Sequence, residues 1–414
     1  MPEHSADARV RRKLTGVLFS GVGLTSTGFI AAITVSGLAA EDLTGSATLA
    51  GLPAAASTIG TALGSMLLAA ATVRMGRRRI LIGAYLLAAT ASTVAAISVG
   101  SKTFLLLIVA MFSLGFGNSA SHLTRYAAAD LHHANRRTAA IGWIVWASTV
   151  GSVAGPNLLG LSADAAEGAG MAAFSGPYLV AAIAFLGAAV FYLALLRPDP
   201  LQMVVGHEED HLTSSSPLRV LFGRPRVQVA VASMVTSHYV MVLIMSMTPI
   251  FLREGGAGLK VVGIVISAHT LGMFALSPIT GLLGDRFGRP QVAAAGMAIV
   301  LVSVVMAGAA PADSTATLIA ALFLLGLGWN FAFIGGSAIL TEGLAIEERL
   351  RLQGAVDASV WLLGAVASLS SGVILAVAGF PFLNALGAAL LVIPTAVFVR
   401  HRRIFRRLPD ATLL

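Results

Sequence analysis

The sequence has no cysteine and few charged residues. None of the 414 residues is Cys, and Asp, Glu, Lys and Arg together make up only 11%. The lack of cysteine excludes disulfide bonds, thiolate metal sites and cysteine nucleophiles. The sequence also lacks a glycine-rich phosphate loop, a His-Glu-x-x-His pair and a serine nucleophile elbow, which are typical of ATPases, metalloproteases and serine hydrolases. We therefore predict no enzymatic activity, no catalytic residue, no cofactor and no metal.

Hydrophobic residues dominate instead. They make up 57% of the chain, and the mean hydropathy is +0.86, which is not the composition of a soluble domain. Apolar runs of about 20 residues recur, each long enough to cross a hydrocarbon core of about 30 Å as a helix. We predict an all-α membrane protein with twelve transmembrane helices. Their approximate bounds are 14–38, 48–72, 80–98, 103–129, 138–163, 176–196, 225–252, 259–284, 290–310, 316–341, 352–376 and 382–400.

The cations alternate between the loops. The net charge of +8 is compatible with nucleic-acid binding, but the basic residues cluster in every second loop, and only Lys102, Arg253 and Lys260 lie in the others. This asymmetry follows the positive-inside rule and predicts both termini in the cytoplasm, a lipid bilayer as partner and no nucleic acid. The basic tail at 400–407 is either a stop-transfer anchor or a contact for anionic lipids. Only three of the 27 basic residues are Lys, which favours a GC-rich bacterial genome and hence a bacterial plasma (inner) membrane.

A loop signature occurs twice. Residues 281–290 read Gly-Leu-Leu-Gly-Asp-Arg-Phe-Gly-Arg-Pro between two apolar runs, and a partial copy ends at residue 79. The copies align at a distance of 212 positions: Arg74 with Arg286, Gly76 with Gly288, Arg77 with Arg289, and Val73 with Asp285. Together with a long polar interval, this repeat predicts two six-helix halves. We expect an N-terminal half at 1–196, a cytoplasmic linker at 197–224 and a C-terminal half at 225–414.

These motifs resemble those of the major facilitator superfamily. The segment from Gly281 to Arg289 is similar to that family's loop between helices eight and nine, and the turn after helix two matches in part. The run with Gly151, Gly155 and Pro156 in helix five is similar to a signature of antiporters in the family. Helix four lacks the arginine of the family's proton-coupling motif. The resemblance implies a secondary transporter that works by alternating access.

The resemblance also implies conformational-switch residues. They are Gly281, Asp285, Arg286, Gly288, Arg289, Arg74, Gly76, Arg77, Gly151, Gly155 and Pro156. In the family, the counterpart of Asp285 contacts the start of helix five, here around Thr138 to Gly142, and latches the cytoplasmic side in the outward-open state. Val73 provides no such carboxylate, so we expect a weaker latch in the N-terminal half.

The polar residues of the fourth predicted helix lie on one face. Asn118, His122 and Arg125 are spaced i, i+4 and i+7, and in the resembled family helices one, four, seven and ten line the central cavity. Arg125 either snorkels to the interface or acts as a gate, paired with Asp357 or Glu342.

Helix seven carries Met234, His238 and Met241 on one face. This stripe is either packing or an adaptable ligand surface. His238 is the best single candidate for a proton site, because imidazole titrates near neutral pH, and its alternative is a hydrogen-bonded packing role.

We predict two sets of site residues. The substrate-binding set is Asn118, His122, Arg125, Met234, His238, Met241, Trp329, Asn330 and Trp361. The proton-coupling set is His238, Arg125 and Asp357. The leading hypothesis is proton-coupled export of small amphipathic or hydrophobic compounds. The alternatives are uptake or facilitated diffusion of a small metabolite, and a non-transporting membrane receptor with a transporter fold.

Overall fold

The structure is a computed structural model that describes residues 2–46, 49–203, 216–256, 258–311 and 313–402. Its regular structure within these ranges is helical. The α-helices are α1 (Pro2–Thr44), α2 (Leu52–Met75), α3 (Arg77–Gly100), α4 (Phe104–Asp130), α5 (Arg137–Gly168), α6 (Ser175–Leu195), α7 (Leu218–Gly223), α8 (Pro225–Met245), α9 (Thr248–Glu254), α10 (Leu259–Phe274), α11 (Ser277–Phe287), α12 (Arg289–Ala309), α13 (Thr315–Ile339), α14 (Ile346–Leu390) and α15 (Val392–His401).

Eleven helical segments of the described chain are long and apolar enough to cross a membrane. The last one, Ile346–His401, has 56 residues and is interrupted at Gly379, where φ is 78° and ψ is 172°. It therefore contains both of the last two predicted spans. The seventh predicted span consists of α8 and α9, and the eighth of α10 and α11. The all-α membrane fold with twelve apolar spans is confirmed.

Two glycines with positive φ separate neighbouring helices at the repeated loop signature. Gly76 has φ 81° between α2 and α3, and Gly288 has φ 102° between α11 and α12. This left-handed backbone is rarely adopted by residues with a Cβ, so glycine is required at both turns. The first turn is also held by Asp199, whose carboxylate accepts the backbone N–H groups of Arg77 and Arg78 at 3.2 and 2.9 Å.

The chain divides into two compact units. The first comprises Met1–Thr213 and Leu344–Ala365, and the second comprises Ser214–Gly343 and Val366–Leu414. In the first unit, α1 packs on α5 and α6, α2 on α4, and α3 on α4 and α6. In the second, α13 packs against α8, α10 and α12. The predicted division into halves at 197–224 stays a prediction.

A close helix contact is repeated within each unit. In the first, a Cβ on Gly60 of α2 would lie 1.9 Å from the carbonyl oxygen of Phe112 in α4. In the second, a Cβ on Gly272 of α10 would lie 2.2 Å from the carbonyl oxygen of Phe323 in α13. Small residues let membrane helices approach to backbone contact. The same packing in both units agrees with the internal repeat of the sequence.

Candidate functional site

A buried ion pair joins α4 to α14 in the first unit. Nη2 of Arg125 lies 2.6 Å from Oδ1 of Asp357, and each of the two residues is 1% exposed. The hydroxyl of Tyr126 also donates to this oxygen, at 3.3 Å. The expectation that Arg125 pairs with Asp357 or Glu342 is thus confirmed for Asp357. Arg125 does not snorkel.

The two oxygens of Asp357 have different surroundings. Oδ1 accepts both hydrogen bonds, whereas Oδ2 is buried and has no hydrogen-bond partner among the described residues. A buried carboxylate oxygen without a donor is costly when it is charged. A proton can occupy Oδ2 without displacing Arg125 or Tyr126 from Oδ1. This geometry suits reversible protonation.

One helical turn away, the same two helices bring aromatic rings together. The ring of His122, three residues before Arg125, lies against the indole of Trp361, four residues after Asp357. Their centroids are 4.8 Å apart with an interplanar angle of 55°. Both side chains are half-buried. Asn118 instead faces α2, where its Nδ2 donates to Thr61 at 3.3 Å.

A second aromatic cluster lies in the second unit, between α8 and α13. The indole N–H of Trp329 donates to Nδ1 of His238 at 3.1 Å, so this imidazole nitrogen carries no proton in the bond. Trp329 stacks on Phe333, with centroids 4.6 Å apart and an angle of 17°. Phe274 meets the indole edge-on at 6.0 Å. The His238 ring therefore accepts a hydrogen bond from a tryptophan that itself packs against two phenylalanine rings.

The remaining candidates of the second unit face its interior. Asn330 is fully buried, and its amide donates to the Met273 carbonyl and to Ser277, both at 2.6 Å. Its Oδ1 accepts from Thr280 at 2.6 Å, so Asn330 holds the break between α10 and α11. Met234 is fully buried and contacts Gly336 of α13. Met241 is 6% exposed.

The partial copy of the loop signature leads to a second buried ion cluster in the first unit. Asp130, the last residue of α4, lies 2.9 Å from Nη2 of Arg77 and 3.0 Å from Nη2 of Arg349. Arg77 also donates to Gln353 at 3.4 Å. These residues link α3, α4 and α14. The absence of a carboxylate at Val73 therefore does not leave α14 without an ionic link, because Asp130 supplies the anion.

The full copy of the signature forms a similar pair in the second unit. Arg289 is 7% exposed and pairs with Glu342, which also contacts Arg226 at 3.5 Å. Arg77 and Arg289 are 212 positions apart, and so are Asp130 and Glu342. The repeat thus extends from the arginine to its acidic partner. Glu342, the alternative partner expected for Arg125, is paired with other arginines.

The other switch residues lie as follows. Gly151 and Gly155 bring α5 against α1, since a Cβ would lie 2.5 Å from α1 atoms at Gly151 and 2.9 Å from them at Gly155. Pro156 lies inside α5. Gly281 is buried in α11, and Asp285 is half-buried there. Arg74 and Arg286 are exposed at the ends of α2 and α11. The contact expected between Asp285 and the start of α5 stays a prediction.

The sequence did not indicate three residues of these clusters. Asp130 follows Arg125 by five residues and does not lie on the same helical face, and the sequence alone does not show that it contacts Arg77. Arg349 lies in the interval between two predicted spans, where a cation is ordinarily exposed, but it is 1% exposed. Asp199 lies in the predicted linker. The offset of 212 positions between Asp130 and Glu342 was the available signal for the first of them.

No group of three or more His, Cys, Asp or Glu that could hold a metal ion occurs among the residues that the structure describes. The basic tail beyond Arg402 lies outside the described residues.

Comparisons with known proteins give the family. The model of the Major Facilitator Superfamily matches residues 16–260 and 237–411. The chain is 34% identical over 393 residues to the uncharacterized MFS-type transporter YddS of Bacillus subtilis (strain 168), covering 93% of this chain and 89% of that protein. It is 30% identical over 336 residues to the riboflavin transporter RfnT of Brucella anthropi, covering 81% of each.

A solved structure shows the same fold. The crystal structure of the human organic anion transporter MFSD10 (TETRAN) has a TM-score of 0.76 and 16% identity, with 94% of this chain and 99% of that chain covered. This likeness concerns the fold alone. The family match, the bacterial relatives and the apolar helices agree with one another, and the chain belongs to the Major Facilitator Superfamily as a multi-pass membrane secondary transporter.

Proposed function

We propose that the protein exports small amphipathic compounds with a flat aromatic group, in exchange for protons, by alternating access. The observation that supports this most strongly is the buried Arg125–Asp357 pair, one helical turn from the His122–Trp361 pair on the same two helices. A change in the ion pair can therefore act on the aromatic pair through α4 and α14.

Asp357 is the proposed protonation site. A proton on Oδ2 removes the negative charge of Asp357, which weakens the attraction to Arg125 in a surrounding of low dielectric. The ion pair then holds α4 and α14 together less strongly, which gives a loosened state. In the exchange cycle, the proton favours this loosened state and the exported compound favours the paired one, so that the two ligands bind in alternation.

The aromatic rings supply the proposed substrate contacts. His122 and Trp361 are half-buried, so they retain accessible ring surface, on which flat apolar groups stack. The Arg125–Asp357 pair has no net charge, which favours a neutral or weakly anionic compound over a strong cation. In the second unit, His238 and Trp329 form the corresponding candidate contact, and His238 is a second candidate for proton binding.

The relative named as a riboflavin transporter favours a second candidate function. At 30% identity over 81% of each chain, it supports transport of a metabolite with a flat heterocycle, by uptake or facilitated diffusion. The aromatic pair of the first unit fits such a ring system as well as it fits an exported compound. A non-transporting receptor is set aside, because the chain belongs to a family of transporters.

We also propose the bacterial plasma membrane as the location. The basic loops and the termini then face the cytoplasm, following the positive-inside rule. The relatives from Bacillus subtilis and Brucella anthropi support a bacterial membrane.

The sign of proton movement tests the proposal. Purified protein is reconstituted into liposomes with a pH-sensitive dye inside and equal pH on both sides, and amphipathic compounds, riboflavin included, are added outside. Exchange moves a proton out as a compound enters, so the lumenal pH rises. Symport lowers it, and facilitated diffusion leaves it unchanged while the compound enters.

Protein-free liposomes control for passive diffusion, and Asp357→Asn tests the assigned site. Compound entry that lowers or does not change the lumenal pH would contradict proton exchange. The first result would support proton-coupled uptake and the second a facilitator.

A further inference from the structure

A basic cleft opens between the start of α1 and the loop that connects α4 to α5. Its volume is about 690 Å³. The polar residues that line it are Arg11, His132, His133, Asn135 and Arg136. All of them belong to the first unit, and no step of the proposed transport cycle uses them.

The cations of this cleft have little compensating charge. Arg11 is paired with Asp7 at 3.9 Å, a distance too long for a hydrogen bond, and the Asp7 side chain is 65% exposed. Nε of Arg11 is buried and has no hydrogen-bond partner among the described residues. His133 and Arg136 are exposed and form no ion pair within the described ranges. The cleft thus presents donors that an anion can use.

The loop that carries these side chains is held in place. Nε of Arg137 donates to the His132 carbonyl at 3.2 Å, and Nδ1 of His132 lies 2.9 Å from the Ala128 carbonyl. Binding of a ligand here therefore need not order the loop first, which lowers the entropic cost of association.

We propose that this cleft binds the phosphate group of an anionic ligand, either a phospholipid headgroup or a soluble phosphate ester. Guanidinium groups match phosphate oxygens with paired, charge-assisted hydrogen bonds. Arg11 reaches the phosphate from α1 and Arg136 from the loop, and the Asn135 amide and the His133 ring add neutral donors. The volume exceeds that of a phosphate alone and accommodates the group to which it is esterified.

Binding would connect α1 to the end of α4. Leu131 lines the cleft and directly follows Asp130, which contacts Arg77 and Arg349. A bound phosphate therefore lies in the loop next to this buried ion cluster and links it to α1. We expect the ligand to raise the midpoint of thermal unfolding, since it binds the folded protein.

The experiment measures thermal unfolding of the purified protein in detergent. In one arm, dioleoylphosphatidylglycerol is compared with dioleoylphosphatidylcholine. In the other, inorganic phosphate and pyrophosphate are compared with sodium chloride at equal ionic strength. The first arm reports a lipid headgroup, and the second a soluble phosphate.

Three variants decide whether the cleft is responsible. Arg136→Gln changes an exposed residue, so folding is expected to be preserved, and Arg11→Gln with Arg136→Gln removes both cations. The matched control is Arg9→Gln with Arg12→Gln, which removes equal charge from exposed residues outside the cleft.

We expect each lost cleft arginine to weaken binding about tenfold, and the control to retain the wild-type shift. The proposal is overturned if the control loses the shift as fully as the cleft variants, or if no phosphate compound shifts the wild-type midpoint beyond its comparison compound.

Discussion

Replacing Asp130 by Asn is expected to destabilise the protein strongly. Asp130 is fully buried between Arg77 and Arg349, which are 2% and 1% exposed, at distances of 2.9 and 3.0 Å. The substitution keeps the shape of the side chain but removes a carboxylate that contacts both guanidinium groups. Removing one partner of a buried ion pair costs about 3–5 kcal/mol. Because two arginines lose an ionic contact at once, we expect a value toward the upper end.

The cluster also predicts an order among variants. Arg349→Met removes one cation but leaves the Arg77–Asp130 pair, so its loss of stability should be smaller than that of Asp130→Asn. Asp164→Asn on α5 is the control, because Asp164 is exposed and its substitution should cost less than about 0.5 kcal/mol.

The assay is unfolding of purified protein in detergent, by heat and by denaturant. If Asp130→Asn unfolds within about 0.5 kcal/mol of the wild type, the cluster is not the stabilising link between α3, α4 and α14 that its geometry indicates. An Arg349→Met variant that is less stable than Asp130→Asn would also refute this reasoning.

Three further outcomes are expected. Gly151→Ala places a Cβ 2.5 Å from α1 atoms, so it should lower the free energy of unfolding by about 1–3 kcal/mol and slow transport. Gly160→Ala is the control, because a Cβ there would have nothing within 4 Å and should change neither property. Thermal unfolding measures the stability of both variants, and flux into liposomes measures their transport. Trp329→Phe keeps an aromatic ring but loses the hydrogen bond to His238, so it should lower the free energy of unfolding by about 0.5–1.5 kcal/mol. Trp143→Phe is the control and should not change it, because Trp143 is 48% exposed. Asn330→Ala removes three hydrogen bonds at the break between α10 and α11 and should destabilise the protein by about 1–3 kcal/mol. An unchanged midpoint of thermal unfolding would contradict the role of Asn330 in holding this break.

The sequence predicted the fold closely because the membrane limits the possibilities. A run of about 20 apolar residues in lipid must form a helix, since every backbone polar group needs an internal partner. Interruptions within the spans were harder to predict. The breaks at Ala275 and Leu276 and at Gly379 lie within or between apolar runs, where hydropathy does not change.

The candidate site was predicted in part. The spacing of His122 and Arg125 placed them on one face, and the cost of burying an arginine indicated a carboxylate partner, which the structure identifies as Asp357. Asp130 and Arg349 could not be assigned in this way. Both lie at the ends of predicted spans, where a charged residue is ordinarily exposed, and their burial depends on packing between distant helices. The hydrogen bond from Trp329 to His238 likewise follows from tertiary contact alone.

The most direct test of proton coupling compares two kinds of transport by Asp357→Asn in liposomes. The first is exchange of a labelled compound at equal pH on both sides, and the second is its accumulation against a concentration gradient, driven by a pH difference. Asp164→Asn serves as the control, and the compound is one that moves protons with the wild type. If Asp357 carries the coupling proton, the variant loses accumulation, and its exchange is weakened because the uncharged side chain favours the state that disfavours the compound, whereas accumulation at the wild-type level would contradict the account.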